Sequence, residues 1–396
     1  MWNPDLPQVM NLLLITEFVK MKKQVLLRLL ALWLAGAFLA GSCDDKTGNC
    51  EGEVQILDKT CLCKVGVNHY DMIDIASDEC SYGFLVHNLD FLAFYIGKIN
   101  NGYSMEDMQK LAAIAADQDL EVIVELGGVL GPGWGNLTDI DNGKESALTE
   151  IQMSRNWVTA GGTIDYIIFD GPVRRLLYGD LQQNLQDNDG ILVSGYFNTS
   201  RGPFSYKEAA DEILYSMQEW RKEYPEIKFI LGCNFPNWGW KGGQDYHKRQ
   251  ADGMNWGDYW EVVQVVMNRV QSTETSFSGL IVDWPYNYAV GERYSPTPGN
   301  DPKSIDWIAR IRELEDYVKG LGLDFYLYTN TEEQESDQVY SEETLKYVDL
   351  YRERGGAPDG WNVQSWYQVP TSFGPESRPY SMAWLANEVN RRLNEP

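Results

Sequence analysis

Apolar runs recur along the chain at intervals suited to strand-then-helix units. They read FLAFYIG (91–97), EVIVELGG (121–128), IDYIIFDGP (164–172), IKFILGCNFPN (227–237), GLIVDWPYN (279–287), LDFYLYTN (323–330) and WNVQSWYQVP (361–370). Between and after them lie stretches of helical period at 104–117, 145–159, 205–223, 257–272, 303–320, 340–354 and 380–394. Near-continuous apolar runs alternating with helices imply parallel strands under a helical layer. Seven such units over roughly 300 residues fit a (β/α)8-type TIM barrel better than a doubly wound sheet. Two runs compete for the eighth strand, YGFLVHN (82–88) and GILVSGYFN (190–198). Ser205, with Glu208 three residues on, and Ser341 are expected to open helices. The first run is not followed by GxGxxG, which argues against a dinucleotide site.

The N-terminal stretch changes the picture. Residues 21–43 read MKKQVLLRLLALWLAGAFLAGSC, with a basic start, an apolar middle and small residues before Cys43. This is the layout of a bacterial export signal, and the terminal Cys is the lipidation position of a lipoprotein signal. Arg28 interrupts an apolar run that is short for a membrane span. Met21 is the expected true start. Asp44 and Asp45 suit a tether, which places the protein at the outer membrane or cell surface, held to the membrane through the lipid anchor only. The expected division is an export signal at 1–42, a tether and small Cys-rich N-terminal segment at 43–88, and a barrel at 89–396. In an exported chain, Cys50, Cys61, Cys63 and Cys80 read as two disulfides whose pairing is open. A zinc site is the rival, and Cys-Leu-Cys is too tight for it. Cys233 reads as a buried core thiol.

Charge narrows the partners. A formal net charge of −25 repels polyanions, which argues against nucleic acid and against strongly anionic polysaccharides. The expected partner is a polysaccharide or oligosaccharide that is not strongly anionic. The chain carries 14 Trp and 23 Tyr, many of them in the segments that follow strands, where rings can stack on sugar faces. Its three histidines are not at metal-ligand spacing, and HExxH and GxSxG do not occur, so no metal or other cofactor is expected.

Barrel enzymes build their sites at the C-terminal ends of the strands. Here those ends carry Glu125, Asp170, Asn234 with Trp238, Asp283 with Trp284 and Tyr286, Asn330, and Gln364 with Trp366, with Glu376 beyond the last strand. Paired carboxylates are the tools of glycosidic bond cleavage. Asp283, Glu125 and Asp170 are therefore the candidate catalytic set. Asp283, beside Trp284, is the expected acid, because a dry pocket raises a carboxyl pKa. Glu125 is the expected base or nucleophile. Asn234, Asn330, Gln364 and Glu376 would bind hydroxyls. Trp238, Trp284, Trp366 and Tyr286 would contact sugar rings. The carboxylates have plainer readings as well: Asp283 as a turn cap, Glu125 as a salt-bridged buried acid, Asp170 as the partner of Arg174 or Arg175, and Glu376 as a residue that favours the start of the final helix.

The stretches FLAFYIG, EVIVELGG, GGTIDYIIFDGP, TNTEEQESD and PDGWNVQSWYQVPTSFGPES resemble secreted bacterial barrel proteins of glycoside-hydrolase-like type, over about residues 88–396. The resemblance implies a third strand ending in Asp-Glu-Pro, where this chain has Asp170-Gly171-Pro172. The large retaining clan of barrel glycosidases keeps its acid/base after strand four and its nucleophile at strand seven. Here those ends carry Asn234 and Gln364, so the acid and base must come from other strands. The alternative of another class is a non-catalytic glycan-binding lipoprotein. A lyase is the third reading, disfavoured by the charge.

Overall fold

The computed structural model describes residues 56–57, 60–77, 79–127, 142–172, 205–234, 240–241, 258–292, 301–332, 335–365 and 368–395. Eight parallel strands close a barrel in sequence order. They are β1 (Lys64–Asn68), β2 (Phe91–Tyr95), β3 (Glu121–Leu126), β4 (Tyr166–Phe169), β5 (Lys228–Asn234), β6 (Gly279–Asp283), β7 (Asp324–Thr329) and β8 (Gly360–Gln364). Around them stand α1 (Gly83–Asn88), α2 (Met105–Asp117), α3 (Asn142–Thr159), α4 (Tyr206–Glu223), α5 (Tyr259–Gln271), α6 (Trp307–Gly320), α7 (Asp337–Glu353) and α8 (Met382–Asn394). The (β/α)8 expectation holds.

The eighth strand is neither of the two runs proposed for it. It is β1, KVGVN, inside the stretch assigned to the Cys-rich segment, so the barrel begins by Lys64 rather than at residue 89. YGFLVHN forms the start and body of α1 instead. Glu376 explains why. Its carboxylate accepts from the backbone N–H groups of Phe84 (3.1 Å) and Leu85 (2.7 Å), two amides that a helix start leaves without partners. GILVSGYFN lies outside the described residues, as do the export signal and Cys43. Cys61 and Cys63 form a disulfide with each other, and Cys233 is a buried free thiol, as expected.

Helix starts follow the side-chain capping rule. Ser104, Ser205, Asp258, Asp306, Ser336 and Ser381 each accept from a backbone N–H of the first turn. Ser205 and Glu208 complete the expected capping box. Ser341 does not open a helix. Ser336 caps α7 and leaves Ser341 buried within it.

Strand faces sort by parity. Residues such as Val122, Val124, Leu280 and Val282 pack outward against the helices, while their strand neighbours such as Phe91, Ile123, Ile168, Ile230, Ile281 and Tyr326 fill the interior. Gly66 is required by that interior. A Cβ there would lie 2.1 Å from the Phe91 ring.

At the N-terminal end, the residue before each even strand acts as a node. Asp90, Asp165, Ser278 and Asp359 donate their N–H to the carbonyls of Val65, Val122, Phe229 and Phe325 in the preceding strand. Their own carbonyls accept from Glu121, Lys228, Asp324 and Lys64, the first residues of the next odd strands. The three aspartates also accept, through their carboxylates, the N–H of Val65, Val122 and Phe325, each at 2.8 Å. Just inside, Lys64 pairs with Glu121 (2.5 Å), Tyr166 donates to Glu121 (3.3 Å), and Lys228 donates to Tyr166 (3.0 Å). This end of the barrel is closed by charge and hydrogen bonds.

Candidate functional site

The register stacks inward-facing residues in layers drawn from alternate strands. One layer holds Asn68, Glu125, Gly232 and Tyr328, from β1, β3, β5 and β7. The next layer toward the C-terminal mouth holds Tyr95, Asp170, Asp283 and Gln364, from the even strands. Beneath both lie Ala93, Ile168, Ile281 and Asn362. The interior thus turns from apolar to polar two layers below the mouth, where a barrel enzyme needs its chemistry.

Glu125 is 3% exposed. Three uncharged donors reach its Oε2: the Tyr328 hydroxyl at 2.6 Å, Asn68 Nδ2 at 3.4 Å and Gln364 Nε2 at 3.5 Å. Asn330 Nδ2 donates both to Asp283 Oδ1 (3.2 Å) and to Gln364 Oε1 (3.3 Å). A continuous hydrogen-bonded chain therefore runs from Asp283 through Asn330 and Gln364 to Glu125. Burial raises the Tyr328 pKa well above the phenolic value, and the charges of Glu125, Asp283 and Asp170 add to the shift. The phenol stays protonated and serves as a fixed donor. Of the three candidate carboxylates, Glu125 is the one bonded to this hydroxyl.

Several assignments made from the sequence need correction. Trp284 is 6% exposed and lies on the helix side, with ring centroids 4.8 Å from Tyr288 and 5.4 Å from Trp307. Successive strand residues point to opposite faces, so Trp284 neither dries Asp283 nor offers a platform to a sugar. Glu376 is occupied as the cap of α1, not at the start of the final helix, and also accepts from Asn387 Nδ2 at 3.1 Å. Asn330 and Gln364, at 2% and 0% exposure, orient the carboxylates rather than line an open groove. Tyr286 is half-buried against Tyr347, and its N–H donates to the Asn330 carbonyl at 2.9 Å. Asp170 and Asp283 are half-buried at the mouth layer. Asn234 ends β5, paired with Asp283, while its side chain, Trp238 and Trp366 lie outside the described residues.

Tyr328 and Asn68 escaped the sequence reading. A tyrosine within LDFYLYTN looks like core, and Asn68 ends the strand that was not recognised. Parity was the available signal: Tyr328 stands two residues before Asn330 and so shares its face.

Behind β3, Glu150 of α3 accepts from Gly127 N–H at 3.0 Å and is 6% exposed. Burial pushes its carboxyl up to about 7, against the hydrogen bonds from Gly127 and Ser146. The folded state therefore holds this proton more tightly than the unfolded chain, whose carboxyl titrates near 4.5. Stability is expected to be full below about pH 4.5 and to fall as pH rises toward 7, by on the order of 3 kcal/mol. Denaturant titrations of the wild type and Glu150→Gln at several pH values check this. The variant should lack that slope.

Among the described residues, no cluster of three His, Cys, Asp or Glu can hold a metal ion, and no helix is long and apolar enough to cross a membrane. No protein-family model matches the chain. No characterised protein matches it in sequence. Solved barrels resemble it at low identity. The 3-keto-D-glucoside 4-epimerase YcjR from E. coli is 10% identical at a TM-score of 0.41, covering 84% of this chain and 98% of its own. A chitinase domain from Pyrococcus furiosus is 10% identical at 0.41, covering 83% and 94%. The Thermomonospora fusca β-mannanase, in its mannotriose complex, is 10% identical at 0.41, covering 81% and 91%. The neighbours of this TIM barrel thus include glycoside hydrolases and another sugar-processing enzyme, and the likeness is one of fold.

Proposed function

We propose that the barrel binds a glycan at its C-terminal mouth and hydrolyses glycosidic bonds there. The observation that carries this reading is the hydrogen-bonded chain that links Asp283, through Asn330 and Gln364, to Glu125, with Asp170 in the same layer as Asp283. Asp170 and Asp283 share the layer nearest the mouth and are the pair that flanks the scissile bond. One protonates the leaving oxygen, and the other activates water or attacks the anomeric carbon. Glu125, one layer deeper, acts through Tyr328 as a positioning residue. The test is release of new reducing ends from a panel of polysaccharides by wild type, Asp283→Asn and Asp170→Asn. Retention of a glycan without release would establish the glycan-binding alternative.

We also propose that the protein is an exported lipoprotein anchored through Cys43, on the evidence of residues 21–43. Cys43→Ser is expected to abolish labelling by a radioactive fatty acid in bacterial cells. Labelling that persists in the variant would refute the anchor.

A further inference from the structure

The amide of Asn330 gives a direction to the hydrogen bonds that join the carboxylates. Its Nδ2 donates both of its hydrogens, one to Asp283 Oδ1 (3.2 Å) and one to Gln364 Oε1 (3.3 Å). Gln364 donates in turn through Nε2 to Glu125 Oε2 (3.5 Å), where Asn68 and Tyr328 donate as well. Both ends of the chain are therefore carboxylate oxygens that accept. Among the described residues no donor reaches Asn330 Oδ1, although that atom is buried. An idle buried acceptor is costly. Turning the amide over would cost more, because it would set Oδ1 against two other oxygens.

This direction keeps a proton off Asp283 Oδ1, where it would face an Asn330 N–H. To receive it, the Asn330 amide must turn over, which sets Oδ1 against Gln364 Oε1. Gln364 must then turn as well, which sets its own oxygen against Glu125 Oε2. A proton at one carboxylate thus calls for a second proton at the other. Donors aimed at a carboxylate favour its ionised form. Trp284, whose apolar ring would favour the protonated form, lies on the helix side. The titratable groups around Asp283 among the described residues are the carboxylates of Asp170 and Glu125 and the phenols of Tyr328, Tyr340 and Tyr347. Burial raises the pKa of each phenol and the Asp283 charge adds to the rise, so all three stay neutral.

We propose that Asn330 is the positioning residue that divides the roles of the mouth pair, holding Asp283 as the ionised base or nucleophile and leaving Asp170 as the acid. This rests on the glycan-hydrolase reading above and reverses the acid expected from the sequence. The Asp170 proton moves to the glycosidic oxygen as the bond between that oxygen and the anomeric carbon breaks, and the bonding pair stays on the oxygen. The new bond to the anomeric carbon comes from a water that gives its proton to Asp283, or from Asp283 itself. In the second case water later displaces the carboxylate and returns a proton to Asp170.

Two glycosides of the sugar found at the new reducing end test this on the full chain, one with a dinitrophenyl leaving group and one with a methyl group. Dinitrophenolate departs without a proton, whereas methoxide needs one. Asp170→Asn should lower kcat/KM about 10²–10⁴-fold for the methyl glycoside and less than about tenfold for the dinitrophenyl glycoside. Asp283→Asn should lower both by similar factors. Asn330→Asp should raise the lower apparent pKa of the kcat/KM profile by about one unit or more, because a second carboxyl beside Asp283 shares its proton. An amide that only shaped the fold would leave that limb where it is. The opposite leaving-group pattern, or an unmoved lower limb in Asn330→Asp, would overturn the assignment and leave the hydrolase. A wild type that cleaves neither glycoside and no polysaccharide would remove the hydrolase reading itself, and the assignment with it.

Discussion

Asp283→Asn is expected to lower glycan turnover by about 10²–10⁴-fold, the contribution of one positioned acid or base. Asparagine keeps an oxygen that can accept from Asn330, so the hydrogen-bonded chain to Gln364 survives and folding should not change. Asp170→Asn should cost a similar factor, because Asp170 occupies the same layer. Tyr328→Phe should act differently. It removes the 2.6 Å donor to Glu125 and leaves both mouth carboxylates in place. A smaller loss is expected, in kcat more than KM, from a less well-held Glu125. Steady-state kinetics on one cleaved oligosaccharide would separate these cases. Full activity in both aspartate variants would remove the proposed pair.

Glu315→Ala is the substitution expected to cost most in stability, about 3–5 kcal/mol. Glu315 is 1% exposed on α6 and is shared by four partners. Tyr351 donates its hydroxyl at 2.7 Å, Ala357 its N–H at 3.1 Å and Lys319 its ammonium at 3.2 Å, and Arg312 completes the set. The two cations are partly exposed and can turn to water when the carboxylate is gone. The Tyr351 hydroxyl, wholly buried, and the Ala357 amide have no such outlet, and each orphaned group costs about 1–3 kcal/mol. By contrast, Arg354→Ala breaks an exposed pair with Asp306 and should change stability by less than about 1 kcal/mol. Denaturant midpoints at constant slope measure both. Equal midpoints for the two variants would contradict the argument.

The fold was legible because strand and helix periods differ and because parallel strands are apolar on both faces. Seven strands and seven helices fall where those periods place them. β1 was hidden for a physical reason. KVGVN is five residues long, begins with a lysine that belongs to the charged closure, and carries Gly66 where the Phe91 ring leaves no room for a Cβ. YGFLVHN was mistaken for a strand because its helical state depends on Glu376, almost 300 residues away in the sequence. In the site, Asp170, Glu125 and Asp283 were readable as carboxylates at strand ends. Which of them lie in one layer was not, because layers depend on register around the closed sheet. Trp284 was misread because adjacency along a strand was taken for adjacency in space.

The four nodes at the N-terminal end have a bearing on how far the other end can vary. Asp90, Asp165, Ser278 and Asp359 each tie the strand before to the strand after, so sliding any strand by one residue would break bonds on both sides at once. Alignment of the whole sheet is thus settled at the end remote from the carboxylates. Segments joining strands to helices at the mouth can lengthen, shorten or exchange residues without disturbing it. Such a barrel can acquire a new substrate by changing its rim alone, with the hoop at its base left untouched.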